Sequence, residues 1–133
     1  MSNIMENEVL PCPGRLFLIE DDSSVLSSLT LMLRTRGFEV DSYQNGYSFL
    51  SIGLRSSVDC LLIDYIMPRM NGIELLKEVR ARGLHVPAIL ITGFVSTTLV
   101  ARAAHAGFLD VIEKPSITNA LLNRIAEVAR CRS

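Results

Sequence analysis

Short apolar runs alternate with stretches of helical spacing along the whole chain. Residues 16–19, 60–63 and 88–91 are apolar throughout. Such unbroken runs suit strands buried on both faces of a parallel sheet. Residues 38–43 alternate instead, with Phe38, Val40 and then, after a slip, Tyr43 as the apolar positions, which predicts a half-exposed edge strand. A fifth, shorter strand is expected over 110–113.

Helices are expected between these runs. Val25, Leu29, Met32 and Leu33 share one face of a helix over 23–36, with Asp22 or Ser23 as its cap and Gly37 as its close. A short helix over 46–52 carries Tyr47, Phe49 and Leu50. A third begins after Gly72, turns Ile73, Leu76 and Val79 inward and ends near Gly83. Ser96 caps a fourth that runs to Gly107. The fifth starts at Ser116 and carries Ile117, Leu121, Leu122, Ile125 and Val128. Five strand–helix alternations imply an α/β fold: one doubly wound, five-stranded parallel sheet with five helices on its two faces, joined by right-handed crossovers. The flavodoxin-like strand order 2-1-3-4-5 is expected. Residues 1–14 read as a mobile lead-in, 15–130 as the single domain and 131–133 as a tail.

Composition narrows the function classes. The 133 residues are 49% hydrophobic and 20% charged, which is globular and too apolar for a disordered chain. A net charge of -1 supplies no broad basic field for nucleic acid or an anionic membrane. No apolar run approaches the roughly 18 residues of a membrane span. Cys12, Cys60 and Cys131 are far apart, without a C-x-x-C pair. They read as reduced thiols of a cytoplasmic protein, Cys60 being a small buried hydrophobe.

The polar residues that end the strands carry the candidate chemistry. Strand 1 ends in Glu20 and Asp21, strand 3 in Asp64, strand 4 in Thr92 and strand 5 in Lys114. Pro68 and Gly72 force the chain out of the sheet just after Asp64, at the edge where open α/β sheets bind ligands. Strands 1 and 3 are neighbours in the expected order, so Glu20, Asp21 and Asp64 converge. Three carboxylates together repel unless a cation joins them, and Mg2+ suits a few carboxylates, water and phosphate. No His or Cys is placed to make a zinc site. Thr92 and Lys114 add a hydroxyl and an ammonium, a receptor for a tetrahedral anion beside a carboxylate that can attack phosphorus. Asp22 is assigned to the cap of the first helix. His85 and His105 lack an acid or cysteine partner and read as surface residues. Met32, Met67 and Met70 read as packing or loop residues.

Four motifs in order resemble the receiver domain of bacterial two-component response regulators: Leu16-Phe17-Leu18-Ile19-Glu20-Asp21-Asp22, Asp64-Tyr65-Ile66-Met67-Pro68-Arg69-Met70-Asn71-Gly72, Ile91-Thr92-Gly93 and Glu113-Lys114-Pro115. The resemblance spans 15–130. It implies that Asp64 is the phosphoacceptor, that Glu20, Asp21, Asp64 and the backbone carbonyl of Ile66 hold Mg2+, that Thr92 is the switch hydroxyl and that Lys114 contacts the phosphoryl group. It also implies a sensor histidine kinase or histidine phosphotransfer protein as donor, and a downstream protein or a missing output domain as receiver of the signal. A phosphorylation-dependent homodimer belongs to the same set of implied partners. The family often has a cis bond where Lys114–Pro115 stands. The Ile-Thr-Gly-Phe segment and the spacings from Asp64 most resemble receivers of nitrogen-fixation regulators with helix-turn-helix outputs.

The chain departs from the family at four places. Val111 replaces the usual switch aromatic, so rotation of a ring behind Thr92 cannot relay the signal. Phe108 replaces a small residue, Ser116 an aromatic, and Glu20 the commoner aspartate. Two other functions compete. A pseudo-receiver would use the fold only to bind, and the intact acidic set with Thr92 and Lys114 argues against it. A Mg2+-dependent aspartyl phosphatase usually carries a second aspartate where Ile66 stands. Phosphorylation by acetyl phosphate separates a receiver from a pseudo-receiver, and steady turnover of a phosphomonoester would favour the phosphatase.

Overall fold

The computed structural model describes residues 14–52, 57–114 and 119–130. Five strands, β1 (Arg15–Ile19), β2 (Glu39–Tyr43), β3 (Cys60–Asp64), β4 (Ala88–Thr92) and β5 (Asp110–Glu113), form one sheet in the order β2-β1-β3-β4-β5. Every pairing is parallel. Five helices alternate with them: α1 (Ser23–Thr35), α2 (Gly46–Ile52), α3 (Gly72–Ala81), α4 (Thr97–Ala106) and α5 (Asn119–Arg130). This is the doubly wound, flavodoxin-like architecture that the alternation of apolar runs predicts.

Side chains alternate across the sheet and so build two separate cores. Phe17, Ile19, Leu61, Ile63, Ala88 and Leu90 face α2, α3 and α4, where Phe49, Leu75, Leu76, Leu99 and Ala103 pack on them. Leu16, Leu18, Cys60, Leu62, Ile89 and Ile91 face α1 and α5, with Leu29, Leu33, Leu122 and Ile125. Both faces of β1, β3 and β4 are therefore dry, which explains why their sequences are unbroken apolar runs. The three methionines read as packing residues do pack: Met67 and Met70 lie in or against the first core and Met32 against the second. Cys60 is buried as a small hydrophobe.

The apparent slip in strand 2 has a simple cause. β2 runs in unbroken register beside β1, from Arg15 against Glu39 to Ile19 against Tyr43. Val40 belongs to the α1/α5 core, whereas Tyr43 packs edge-on against Phe17 and Phe49 on the opposite face. Three residues apart in a strand means opposite faces, so no bulge is needed. Of the apolar residues of α2, Phe49 is buried, whereas Tyr47 is half exposed, with the Arg69 guanidinium 5.6 Å from its ring. Phe108 is buried against the first core and Val111 packs beside it.

The helix ends follow local chemistry. Asp22 caps α1 by accepting from the backbone N–H of Ser24 and Val25. Asn71 and Glu74 form a reciprocal capping box at α3. Ser96 caps α4 through Leu99 N–H, and Gly107, at φ 109°, ends it in the left-handed conformation. The lead-in up to residue 13, the Lys114–Pro115 bond, Ser116, Ile117 and residues 131–133 lie outside the described residues.

Candidate functional site

Each site residue ends a strand or follows its end within two positions, where the backbone is still held by the neighbouring strand. Glu20 N–H donates to Tyr43 C=O at 3.0 Å, Tyr65 N–H to Ile91 C=O at 2.7 Å and Lys114 N–H to Thr92 C=O at 2.7 Å. The main chain is thereby fixed while the side chains are free to converge over the carboxyl edge of the sheet. Asp64 lies beside Ile91 in the ladder and Thr92 beside Glu113. All five residues singled out from the strand ends reach the same rim.

Glu20, Asp21 and Asp64 each place a carboxylate oxygen within 4.8 Å of the others. Glu20 is fully buried and Asp64 is 2% exposed, while Asp21 faces solvent. Lys114 bridges the two buried acids: its Nζ is 3.1 Å from Glu20 Oε1 and 3.2 Å from Asp64 Oδ1. Glu20 Oε2 also accepts from Asp22 N–H at 3.1 Å. Asp64 Oδ1 is buried and, among the described residues, accepts no hydrogen bond of good geometry. The Lys114 ammonium lies at ion-pair distance but not along a hydrogen-bonding direction. A buried carboxylate oxygen in that condition is costly and suits a cation or a reacting group.

Electrostatics follow from this crowding. Burial, then the Glu20 charge, push the Asp64 carboxyl up to about 7, and Lys114 only partly offsets them. Burial works against the charged form of Lys114, but the two facing carboxylates outweigh it and raise its pKa. The donor set is all oxygen and anionic, with one buried oxygen unmatched and one carboxylate open to water. Magnesium fits such a site.

Thr92 is 1% exposed. Its hydroxyl is engaged with its own loop, donating to Phe94 C=O at 3.3 Å and accepting from Phe94 N–H at 3.4 Å. Phe94 itself is 73% exposed. Ile66, two residues past Asp64, also turns its side chain to solvent. Both His85 and His105 are exposed, as expected.

Two supports of the site were not legible as such. Gly72 N–H donates to Tyr65 C=O at 2.8 Å, and a Cβ at position 72 would stand 2.5 Å from the Asp64 carbonyl oxygen. Gly72 reads in the sequence as a chain breaker, yet its structural role is to let α3 start against the backbone of Asp64. Secondly, the Arg102 guanidinium donates to Tyr65 Oη at 3.1 Å, tying α4 to the residue after Asp64. The two are 37 positions apart, and no local pattern announces the pair.

Residues 16–126 match the family described as the response regulator receiver domain. The chain is 35% identical over 120 residues to the transcriptional regulatory protein FixJ of Azorhizobium caulinodans, covering 85% of this chain and 57% of that protein. It is 30% identical over 110 residues to the response regulator protein TodT of Pseudomonas putida, covering 83% of this chain and 48% of the relative. The chain thus spans about half the length of these curated relatives. Among solved structures, it superposes on FixJ-N with a TM-score of 0.79 at 30% identity, covering 90% of this chain and 94% of that one. The receiver domain of the Francisella response regulator 1452 superposes with a TM-score of 0.84 at 22% identity, covering 90% and 99%, and speaks for the fold alone.

Proposed function

Because the chain belongs to the response regulator receiver family of two-component systems, we propose that it accepts a phosphoryl group on Asp64 from a histidine kinase or histidine phosphotransfer protein. The single observation that carries this is the buried Asp64 Oδ1, unmatched by any good hydrogen bond and flanked by Glu20, Asp21 and the Lys114 ammonium. Residues 15–130 are then one receiver domain of a cytoplasmic protein, acting as a signalling module that turns over only its own phosphoryl group.

The step is a displacement at phosphorus. An Asp64 oxygen bonds to phosphorus while the bond from phosphorus to the donor's nitrogen breaks, and its electron pair leaves with the donor imidazole. The product is an acyl phosphate. Asp64 must be ionised to attack, and its high pKa makes that ionisation depend on added positive charge. Glu20, Asp21, Asp64 and the Ile66 carbonyl would hold Mg2+, which supplies that charge and neutralises the transferring oxygens. Lys114, 3.1 Å from Glu20 and 3.2 Å from Asp64, would move from Asp64 Oδ1 to a phosphoryl oxygen and keep Glu20 as its anchor. Thr92 would exchange its long, paired contacts with Phe94 for one stronger bond to the phosphoryl group.

That exchange is the proposed output. Releasing the Phe94 backbone frees the loop between β4 and α4, and this biases α4 between two arrangements. Val111 supplies no ring to follow Thr92 inward, so the loop itself must carry the change. Acetyl phosphate with MgCl2 tests the reading on a phosphate-affinity gel. A retarded band is expected for the wild-type chain and none for Asp64→Asn; a shift that survives this substitution would defeat the assignment.

A further inference from the structure

The chain carries a net charge of -1, and three of its acids, Glu20, Asp21 and Asp64, gather at the carboxyl rim of the sheet. One surface runs against that balance. Between α3 and α4 lies an open groove of about 280 Å3, lined by Ile73 and Lys77 on α3 and by Ala101, Arg102 and His105 on α4. Ile73 and Lys77 are one turn apart on one helix, as are Ala101 and His105 on the other, so each helix contributes a single stripe. The floor is apolar and the walls carry two permanent cations and an imidazole. Among the described residues, no acidic side chain lines it. The acids of α3 are committed elsewhere: Glu74 closes the Asn71 capping box and Glu78 pairs with Arg82 at 3.5 Å.

We propose that this groove docks an acidic segment of a partner protein, one apolar side chain seated over Ile73 and Ala101 with carboxylates on Lys77 and Arg102. Charge complementarity and size together select that occupant. The volume is at the low end of the roughly 300–1,000 Å3 of small-molecule pockets and the groove is open to solvent, which suits a side chain or two with the backbone left outside. Carboxylates beside an apolar floor lose part of their water, which strengthens their pairing with a guanidinium fork.

Arg102 gives the site a second property. Its Nη1 donates to Tyr65 Oη at 3.1 Å. A carboxylate is a better acceptor than a phenol hydroxyl, so an occupant that draws the guanidinium into the groove for a bidentate pair takes Arg102 from Tyr65. Tyr65 directly follows Asp64, and the occupant is thereby coupled to the loop that carries the reactive residue.

The test uses the full chain and a fluorescein-labelled helical peptide with glutamate and leucine at i, i+4 spacing, against the same peptide with lysine for glutamate. Fluorescence anisotropy reads affinity, and amide shifts of 15N-labelled protein read the place. Binding of the acidic peptide alone is expected, with shifts centred on Lys77, Arg102 and His105. Lys77→Glu and Arg102→Glu, both surface changes, should each weaken it about tenfold or more. Tyr65→Phe removes the competing hydroxyl and should tighten it about two- to fivefold. Equal binding of the lysine peptide, shifts centred elsewhere, indifference to the two charge reversals, or citrate alone shifting the same amides as strongly would overturn the proposal. An unchanged affinity in Tyr65→Phe would overturn the coupling. None of these readouts uses phosphorylation, so a failure here is distinct from a failure of the Asp64 assignment.

Discussion

Lys114 Nζ stands 3.2 Å from Asp64 Oδ1, between two buried carboxylates that no other cation among the described residues neutralises. The contact links the end of β5 to the end of β3 and makes Lys114 a structural counter-ion before any phosphoryl group arrives. Lys114→Ala should therefore leave Glu20 and Asp64 facing each other. Asp64 then escapes by taking a proton, which limits the damage. A loss of about 1–3 kcal/mol near neutral pH is expected by urea unfolding. The Asp64 pKa, followed by carbonyl NMR, should rise above its wild-type position. A lowered or unmoved value would contradict the counter-ion role.

The pH dependence has a definite sign. The folded pKa of Asp64, about 7, lies above that of an unfolded aspartate. The folded state therefore holds the proton more tightly, and this contribution is present in full at low pH and lost as pH rises through about 7. The metal-free protein should lose stability between about pH 4 and pH 7, by up to roughly 4 kcal/mol from this group. Asp64→Asn should flatten that slope and stabilise the metal-free chain at pH 8. Mg2+ should bind more tightly as pH rises towards 7, because it needs the ionised carboxylate. Thermal unfolding across pH, with and without MgCl2, checks all three. A stability that climbs from pH 4 to pH 7 in Asp64 but not in Asp64→Asn protein would contradict the buried-carboxyl reading.

Gly72→Ala probes the seat of Asp64, the proposed phosphoacceptor. Its Cβ would meet the Asp64 carbonyl oxygen at 2.5 Å, Leu90 Cδ1 at 2.9 Å and Ile63 Cγ2 at 3.0 Å. Backbone cannot yield as a side-chain tip does, so a cost of about 2–3 kcal/mol is expected. The rate of phosphorylation by acetyl phosphate should fall further than stability alone explains, because Asp64 itself must shift. Wild-type rates in a folded Gly72→Ala chain would show the close approach to be unimportant.

Most of this arrangement is written in the sequence, and the reason is physical. β1, β3 and β4 are buried on both faces, so each reads as an apolar run that stops at a polar residue. The stops are Glu20, Asp64 and Thr92. β5, Asp110–Glu113, is only half-buried and gives no such run, so Lys114 is legible through the Lys-Pro pair that follows it; its bridge to Glu20 is not, since nothing local joins residues 94 positions apart. The exposure of Tyr47 beside Phe49 is not legible either, because a seven-residue helix is too short for its spacing to tell which apolar side chain turns inward. The slip at Tyr43 misled because alternation was judged for one buried face when β2 contributes to two. The Arg102–Tyr65 bond and the close approach of Gly72 depend on how α3 and α4 lie against the sheet, which periodicity does not report.

Thr92→Ala removes a buried hydroxyl whose two bonds to Phe94 are long. Its stability cost should be small, about 0.5–1.5 kcal/mol. Phosphorylation should persist, but the amide shifts of the loop from Gly93 to Ser96 that accompany it in wild type should vanish. Thr92→Ser should restore them. If these shifts survive in Thr92→Ala, the hydroxyl is not the relay.

The most direct measurement is borohydride reduction of the phosphorylated chain, followed by peptide sequencing. An acyl phosphate on aspartate is reduced to homoserine, whereas a phosphate ester on threonine is untouched. After acetyl phosphate and MgCl2, homoserine is expected at position 64 and nowhere else. Homoserine at position 21, or phosphate retained on Thr92 with Asp64 unchanged, would contradict the assignment of Asp64 as the phosphoacceptor.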